Sequence, residues 1–334
     1  MKIITIEEHI TDTPLDTAVR QYILQDAPYY NLTLGKELPY YPDFALYADM
    51  AEKRIRDMDQ NGIDMQVLSC PAQIGMLPSA EAIPLAKAVN DRLAAAVRKY
   101  PDRFSAFAVL PWQDPIQASA ELKRAVEELG LRGAFLAGRP ERGTVFLDDP
   151  RFEPVLREAE KLNVPIYVHP GCPVPAVQDA YYARLEPELS ARLSIFGWGW
   201  HNEAGIQVLR MILAGVFEKY PGLQIISGHW GELVPFYLSR LDQALPKKVT
   251  RLSRTITATY TEHIYVTPSG IFDYPQLQFL LQVLGADRIL YSVDFPLIGQ
   301  ENAREFLERA PISETDKKKI AYANTEHLFR IGIN

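Results

Sequence analysis

The sequence predicts one (β/α)₈ TIM barrel spanning residues 1–334, with insertions after the first and fifth strands. Three observations predict it. Short apolar, β-branched runs recur along the chain, in the manner of strands buried on both faces of a parallel sheet. Nearly every run is separated from the next by a helical pattern, and strict alternation demands a parallel sheet with right-handed crossovers. The runs start near positions 3, 65, 104, 132, 164, 223, 264 and 288, which makes eight. No Gly-x-Gly-x-x-Gly follows the first run, so a dinucleotide fold is disfavoured.

In order, strand Lys2–Ile6 leads to Glu7-Glu8-His9. Residues 10–48 carry Tyr29-Tyr30 and Pro39-Tyr40-Tyr41-Pro42 with little helical period, and read as a long irregular loop over a pocket or as a subunit arm. Helix Met50–Gln60 stops at Asn61-Gly62 and strand Met65–Cys70 follows. Helix Ala80–Tyr100, strand Phe104–Leu110, helix Pro115–Leu129, strand Arg132–Ala137 and helix Arg151–Lys161 lead to Val164–His169. A second insert, 171–200, carries Trp198 and Trp200, aromatics suited to a pocket or a subunit contact. Helix Asn202–Tyr220, strand Leu223–Ser227, helix Glu232–Leu245, a helical stretch at 254–262, strand Ile264–Thr267, helix Pro275–Leu284 and strand Arg288–Ser292 come next. Helices near 301–309 and 314–329 finish the chain.

Composition narrows the function. A net charge of −7 leaves no basic stripe for nucleic acid. No apolar run approaches a membrane span, and the N-terminus turns acidic too soon for a signal peptide. Two cysteines, Cys70 and Cys172, fit a reducing compartment, so the chain reads as cytoplasmic.

Residues of metal-ligand type fall where strands end, the face on which barrels of this kind keep their chemistry. They are Glu7 and His9, His169, His229 and Asp294. Side-chain alternation gives Glu7 and His9 one direction and Glu8 the other. Taken singly, a histidine after a strand is more often a hydrogen-bonded loop residue, and Asp294 before Phe-Pro could be a turn or cap. Together, three of the six histidines at strand ends argue for a site. His201, His263 and His327 do not share that placement and read as structural. Imidazoles and carboxylates without a thiolate suit catalytic Zn²⁺, Mn²⁺ or Fe²⁺ rather than a structural zinc.

Glu7-Glu8-His9, His169-Pro170, Gly228-His229-Trp230-Gly231-Glu232 and Ser292-Val293-Asp294-Phe295-Pro296 together resemble the second branch of the amidohydrolase superfamily. That branch contains the aminocarboxymuconate-semialdehyde decarboxylase-like enzymes. Asn90-Asp91, Tyr100-Pro101-Asp102-Arg103-Phe104, the run from Gly285 to Ser292, and Asn324 extend the resemblance over the whole chain. Glu7 where most members have the first histidine of His-x-His is similar to the γ-resorcylate and 2,3-dihydroxybenzoate decarboxylases. The resemblance implies metal ligands at Glu7, His9, His169 and Asp294, one divalent ion (Zn or Mn), and an acid/base role for Asp294 with His229 and Glu232. It also implies substrate holding by Arg240, an aromatic carboxylate as substrate, and a homodimer or homotetramer. The implied reaction is nonoxidative decarboxylation of an ortho-hydroxybenzoate. The alternatives are hydrolysis of a small amide or lactone on the same site, or a metal-binding barrel without catalysis. Two departures from the decarboxylases fall at the pocket: Asp294-Phe295-Pro296-Leu297 lacks their second aromatic, and Gly171-Cys172-Pro173 replaces Arg-Asn-Pro.

Overall fold

The computed structural model describes residues 1–27 and 44–332. The strands are β1 (Ile4–His9), β2 (Met65–Ser69), β3 (Phe104–Ala106), β4 (Ala108–Val109), β5 (Ala134–Ala137), β6 (Ile166–His169), β7 (Ile225–Ser227) and β8 (Ile264–Val266). All observed pairs are parallel, in the orders β1-β2-β3 and β4-β5-β6-β7-β8. β3 and β4 are one barrel wall interrupted at Phe107, whose N–H still reaches Leu68 O at 2.9 Å while Ala108 N–H reaches Gly133 O at 2.8 Å.

The expected eighth strand is not regular. Residues 289–292 make only isolated bridges, Val266↔Ile289 on one side and Ile6↔Ser292 on the other. Backbone bonds still hold it on both sides, Leu290 N–H to Val266 O at 2.8 Å and Ile6 N–H to Tyr291 O at 2.9 Å. Just beyond this wall the Glu8 carboxylate accepts the Val293 N–H at 3.0 Å and the Phe295 N–H at 3.3 Å. The ring nevertheless joins. One buried apolar cluster takes Ile4, Ile6, Met65, Val67, Phe107, Phe135, Tyr167, Ile226, Tyr265 and Leu290, at least one residue from each of the eight walls. Phe329 of helix Asn324–Phe329 closes that cluster, 5.3 Å from the Phe107 ring.

β1 carries an extra residue. Its register with β2 runs Ile6↔Val67 and then Glu8↔Leu68, and Glu7 sits at φ 67° between them. In an uninterrupted strand the parity of Ile4 and Ile6 would carry Glu8 inward and turn His9 out. The bulge resets that parity, so His9 lies inside against Phe135 and His169, at ring separations of 5.9 and 5.0 Å.

Two other readings are corrected. The insert after β1 opens with helix Thr13–Asp26, capped by Asp12 and burying Leu15, Val19 and Ile23 at a spacing of four. Tyr29-Tyr30 and Pro39-Tyr40-Tyr41-Pro42 lie outside the described residues. Helix Val234–Ala244 starts two residues later than expected, because residues 229–233 all take left-handed backbone. Among the described residues, no helix is long and apolar enough to cross a membrane.

His263 is structural, as expected. It is 2 % exposed, stacks on Phe217 at 4.7 Å and holds Leu223 O through Nδ1 at 3.0 Å. Burial pushes its imidazole below the ordinary histidine value. Between that lowered value and about 6.5 the unfolded chain binds a proton that the folded chain refuses, so stability falls as pH drops below about 6.5. His263→Gln should flatten that loss when denaturation midpoints at pH 7.5 and 5.5 are compared with those of the parent.

Candidate metal centre

Four of the expected residues converge. Glu7, His9, His169 and Asp294 each present a ligand atom, all within 4.8 Å of one another. His9 Nε2 lies 2.9 Å from Asp294 Oδ1, and His169 Nε2 lies 3.8 Å from Glu7 Oε1. Glu7 Oε1, His9 Nε2 and Asp294 Oδ1 are buried without a hydrogen-bond partner. Buried polar atoms are ordinarily satisfied, and three ligand-type atoms left without a partner within 4.8 Å of one another are what a cation requires. The donor set therefore fits a divalent ion.

The remaining atoms of these side chains are held in place. His9 Nδ1 meets Ser69 Oγ at 2.8 Å and His169 Nδ1 meets Pro170 O at 2.8 Å. A carbonyl can only accept, so His169 carries its proton on Nδ1 and turns the Nε2 lone pair inward. Burial, with His9 and His229 nearby, pushes the His169 imidazole well below the ordinary range and keeps it neutral. The other oxygen of Glu7 accepts from Ser269 Oγ, and Ser292 Oγ approaches it at 3.3 Å. Burial foremost raises the Glu7 carboxyl, and the neighbouring Asp294 adds to it. A cation between them would relieve both effects.

Beside this cluster stands a second group. His229 Nε2 lies 4.0 Å from Asp294 Oδ2, and His229 Nδ1 meets Glu232 Oε1 at 2.8 Å. Burial alone would lower the His229 imidazole, yet Glu232, Glu7 and Asp294 raise it to about 10. The turn that presents the pair is left-handed from His229 to Leu233, a conformation that costs L-residues and persists only where surroundings impose it. They do so here. Trp230 N–H donates to Thr267 O (2.9 Å), Trp230 Nε1 to Ile271 O (2.8 Å) and His229 N–H to Ser269 Oγ (2.8 Å). Gly231 has no room for a side chain, since a Cβ would stand 2.7 Å from Tyr260 Oη.

His201, read from sequence as structural, belongs to this group. Its Nδ1 lies 2.8 Å from Glu232 Oε2. No spacing rule links positions 201 and 232, and the only sequence signal was the neighbouring Trp200. Trp200 stands 6.3 Å from the His169 ring and is half-buried, whereas Trp198 is 45 % exposed. Arg240 is exposed on helix Val234–Ala244 and makes no hydrogen bond or ion pair among the described residues, so the structure does not bring it to the cluster.

Residues 38–331 match the amidohydrolase family. The chain belongs to that family. It is 36% identical over 299 residues to a γ-resorcylate decarboxylase of Polaromonas sp. strain JS666, covering 85% of this chain and 88% of that enzyme. The solved 2,6-dihydroxybenzoate decarboxylase complexed with 2,6-dihydroxybenzoate superposes with a TM-score of 0.81 at 30% identity, covering 99% of this chain and 100% of that one. A dihydroxybenzoic acid decarboxylase from Polaromonas sp. JS666, with bound manganese and 2-nitroresorcinol, gives a TM-score of 0.81 at 32% identity, covering 98% and 97%.

Proposed function

We propose that this amidohydrolase-family barrel is a metal-dependent, nonoxidative decarboxylase of an ortho-hydroxybenzoate-type aromatic acid. The observation that carries the reading is the pairing of two adjacent groups: four inward ligand atoms, and a His229–Glu232 pair at 4.0 Å from one of them, Asp294. A binding site needs only the first group. Glu7, His9, His169 and Asp294 would hold one Mn²⁺ or Zn²⁺. When bound, such an ion supplies a Lewis acid for the phenolate and carboxylate oxygens of the substrate.

The chain's own residues carry the proton. Loss of CO₂ requires the ring carbon bearing the carboxylate to be protonated first. Asp294, at 14% the most exposed side chain of the four, is the donor in this reading. Asp294 takes that proton from the bound substrate or from His229, whose Nε2 faces Oδ2, while Glu232 accepts Nδ1–H and so aims Nε2. The electron pair of the breaking C–C bond then returns to the ring as CO₂ departs.

The acidic, single-domain chain is read as cytoplasmic, with a small aromatic carboxylate and no nucleic acid as its partner. Leu233, Phe236, Tyr237 and Ile271 are exposed around the turn, and a homodimer or homotetramer would cover them. Arg240, on the same helix, is kept as a proposed substrate-holding residue.

Metal analysis with a panel of hydroxybenzoates, amides and lactones tests the reading. CO₂ release supports it, and hydrolysis without CO₂ release sinks it. Chelation should abolish turnover and lower Tm by several degrees, since an ion at roughly a thousandfold above Kd stabilises the fold by about 4 kcal/mol. Mn²⁺ or Zn²⁺ should restore both.

A further inference from the structure

Glu232 is fully buried and its two oxygens are divided between two imidazoles. Oε1 faces His229 Nδ1 and Oε2 faces His201 Nδ1, each at 2.8 Å, and the two rings stand 4.5 Å apart at 63°. The far side of His201 is occupied as well: with Nδ1–H on Glu232, Nε2 donates to Phe196 O at 3.0 Å when the ring is an imidazolium and accepts Trp200 Nε1–H at 3.2 Å when it is neutral. Its helix, Gly199–Leu213, is seated on the His229–Leu233 turn through Gly205. A Cβ there would stand 2.8 Å from Glu232 O. Positions 201 and 205 share one helix face, so the close approach at Gly205 sets the distance at which His201 meets Glu232.

A carboxylate with one donor can swing and offer either oxygen, and the ring bound to it follows. With both oxygens taken, its plane is fixed. His229 is then fixed too, with Nδ1–H on Glu232 and Nε2 toward Asp294. The cations or dipoles of His201 and His229 also hold the Glu232 carboxyl below its ordinary value against the opposing effect of burial.

We propose that His201 is a positioning residue, clamping the free oxygen of Glu232 so that His229 presents Nε2 to Asp294. Only the kinetic part of its test rests on the decarboxylase reading. Two variants separate shape from hydrogen bonding: His201→Phe keeps a ring without nitrogens, and His201→Asn restores an N–H near the Nδ1 position.

The first readout needs no turnover. In ¹⁵N-histidine-labelled, Zn²⁺-loaded protein, two Nδ1–H signals bonded to carboxylate are expected. In His201→Phe one disappears and the His229 signal moves; in His201→Asn the His229 signal returns toward its original position. A His229 signal unmoved in the Phe variant overturns the proposal. In kinetics, His201→Phe should lower kcat about 10–100-fold with KM and metal content unchanged, and Asn should recover most of it. Parental kcat in the Phe variant, or a second metal equivalent lost with His201, overturns the proposal by making His201 dispensable or a ligand. If the parent releases no CO₂ from any hydroxybenzoate, the decarboxylase reading fails while the NMR comparison still decides the role of His201.

Discussion

Asp294→Asn is expected to lower kcat by roughly 10²–10⁴-fold, the contribution of a well-placed acid or base, while metal content stays near that of the parent. Asn keeps the size of the side chain and one oxygen that can face a cation, but it can neither accept nor deliver a proton. Asp294 is the residue that spans the two groups of the site, with Oδ1 2.9 Å from His9 Nε2 and Oδ2 4.0 Å from His229 Nε2. Its backbone at φ 65° is tied through its carbonyl, which accepts from Leu297 and Ile298 N–H at 2.9 and 3.1 Å. KM should therefore change little, because the interaction lost belongs to the transition state. Steady-state kinetics with elemental analysis of the same preparation checks this. An Asn variant turning over at the parental rate would remove Asp294 from the proton path.

Glu8→Ala should produce the largest loss of stability. Glu8 is fully buried at the seam of the ring, and its removal strands the Val293 and Phe295 N–H groups that flank Asp294. Each unsatisfied buried N–H costs about 1–3 kcal/mol, so the expected sum is about 2–6 kcal/mol. Burial raises the Glu8 carboxyl to about 8, partly offset by the Val293 N–H and by Arg54. Arg54 is itself fully buried and braces the same strand through His9 O at 2.6 Å. Glu8→Gln keeps one acceptor for the two amides and should cost less than Ala. Denaturant midpoints of the three proteins order the effect, and a Glu8→Ala protein as stable as the parent would refute it.

Much of this arrangement was legible because strand ends are legible. The apolar runs ending at Glu7-Glu8-His9 and His169, and Asp294 after the last run, reported both the barrel and the four convergent side chains, and the Gly-His before the sixth helix reported His229 beside them. What escaped has a common physical cause. The wall at 289–292 is held by isolated bridges, and the amides just after it bond to the Glu8 side chain, which no strand periodicity records. His201 meets Glu232 only because two elements dock at Gly205, a tertiary event invisible to local spacing. Helix Thr13–Asp26 was different: its Asp12 cap and the spacing of Leu15, Val19 and Ile23 were present to be read, and the proline and tyrosine content of the region obscured them.

The unpaired Glu7 in β1 makes the chemistry of this wall depend on counting as well as on identity. Substitution can alter what the first strand offers to a cation, but it leaves unchanged which side of the wall each position faces. Removing one residue between Ile6 and His9 would instead move an acidic group across the barrel wall while leaving the rest of the chain's composition as it was. Lineages that drift by point changes are thus confined to one layout, and a single codon's loss is the shortest route out of it.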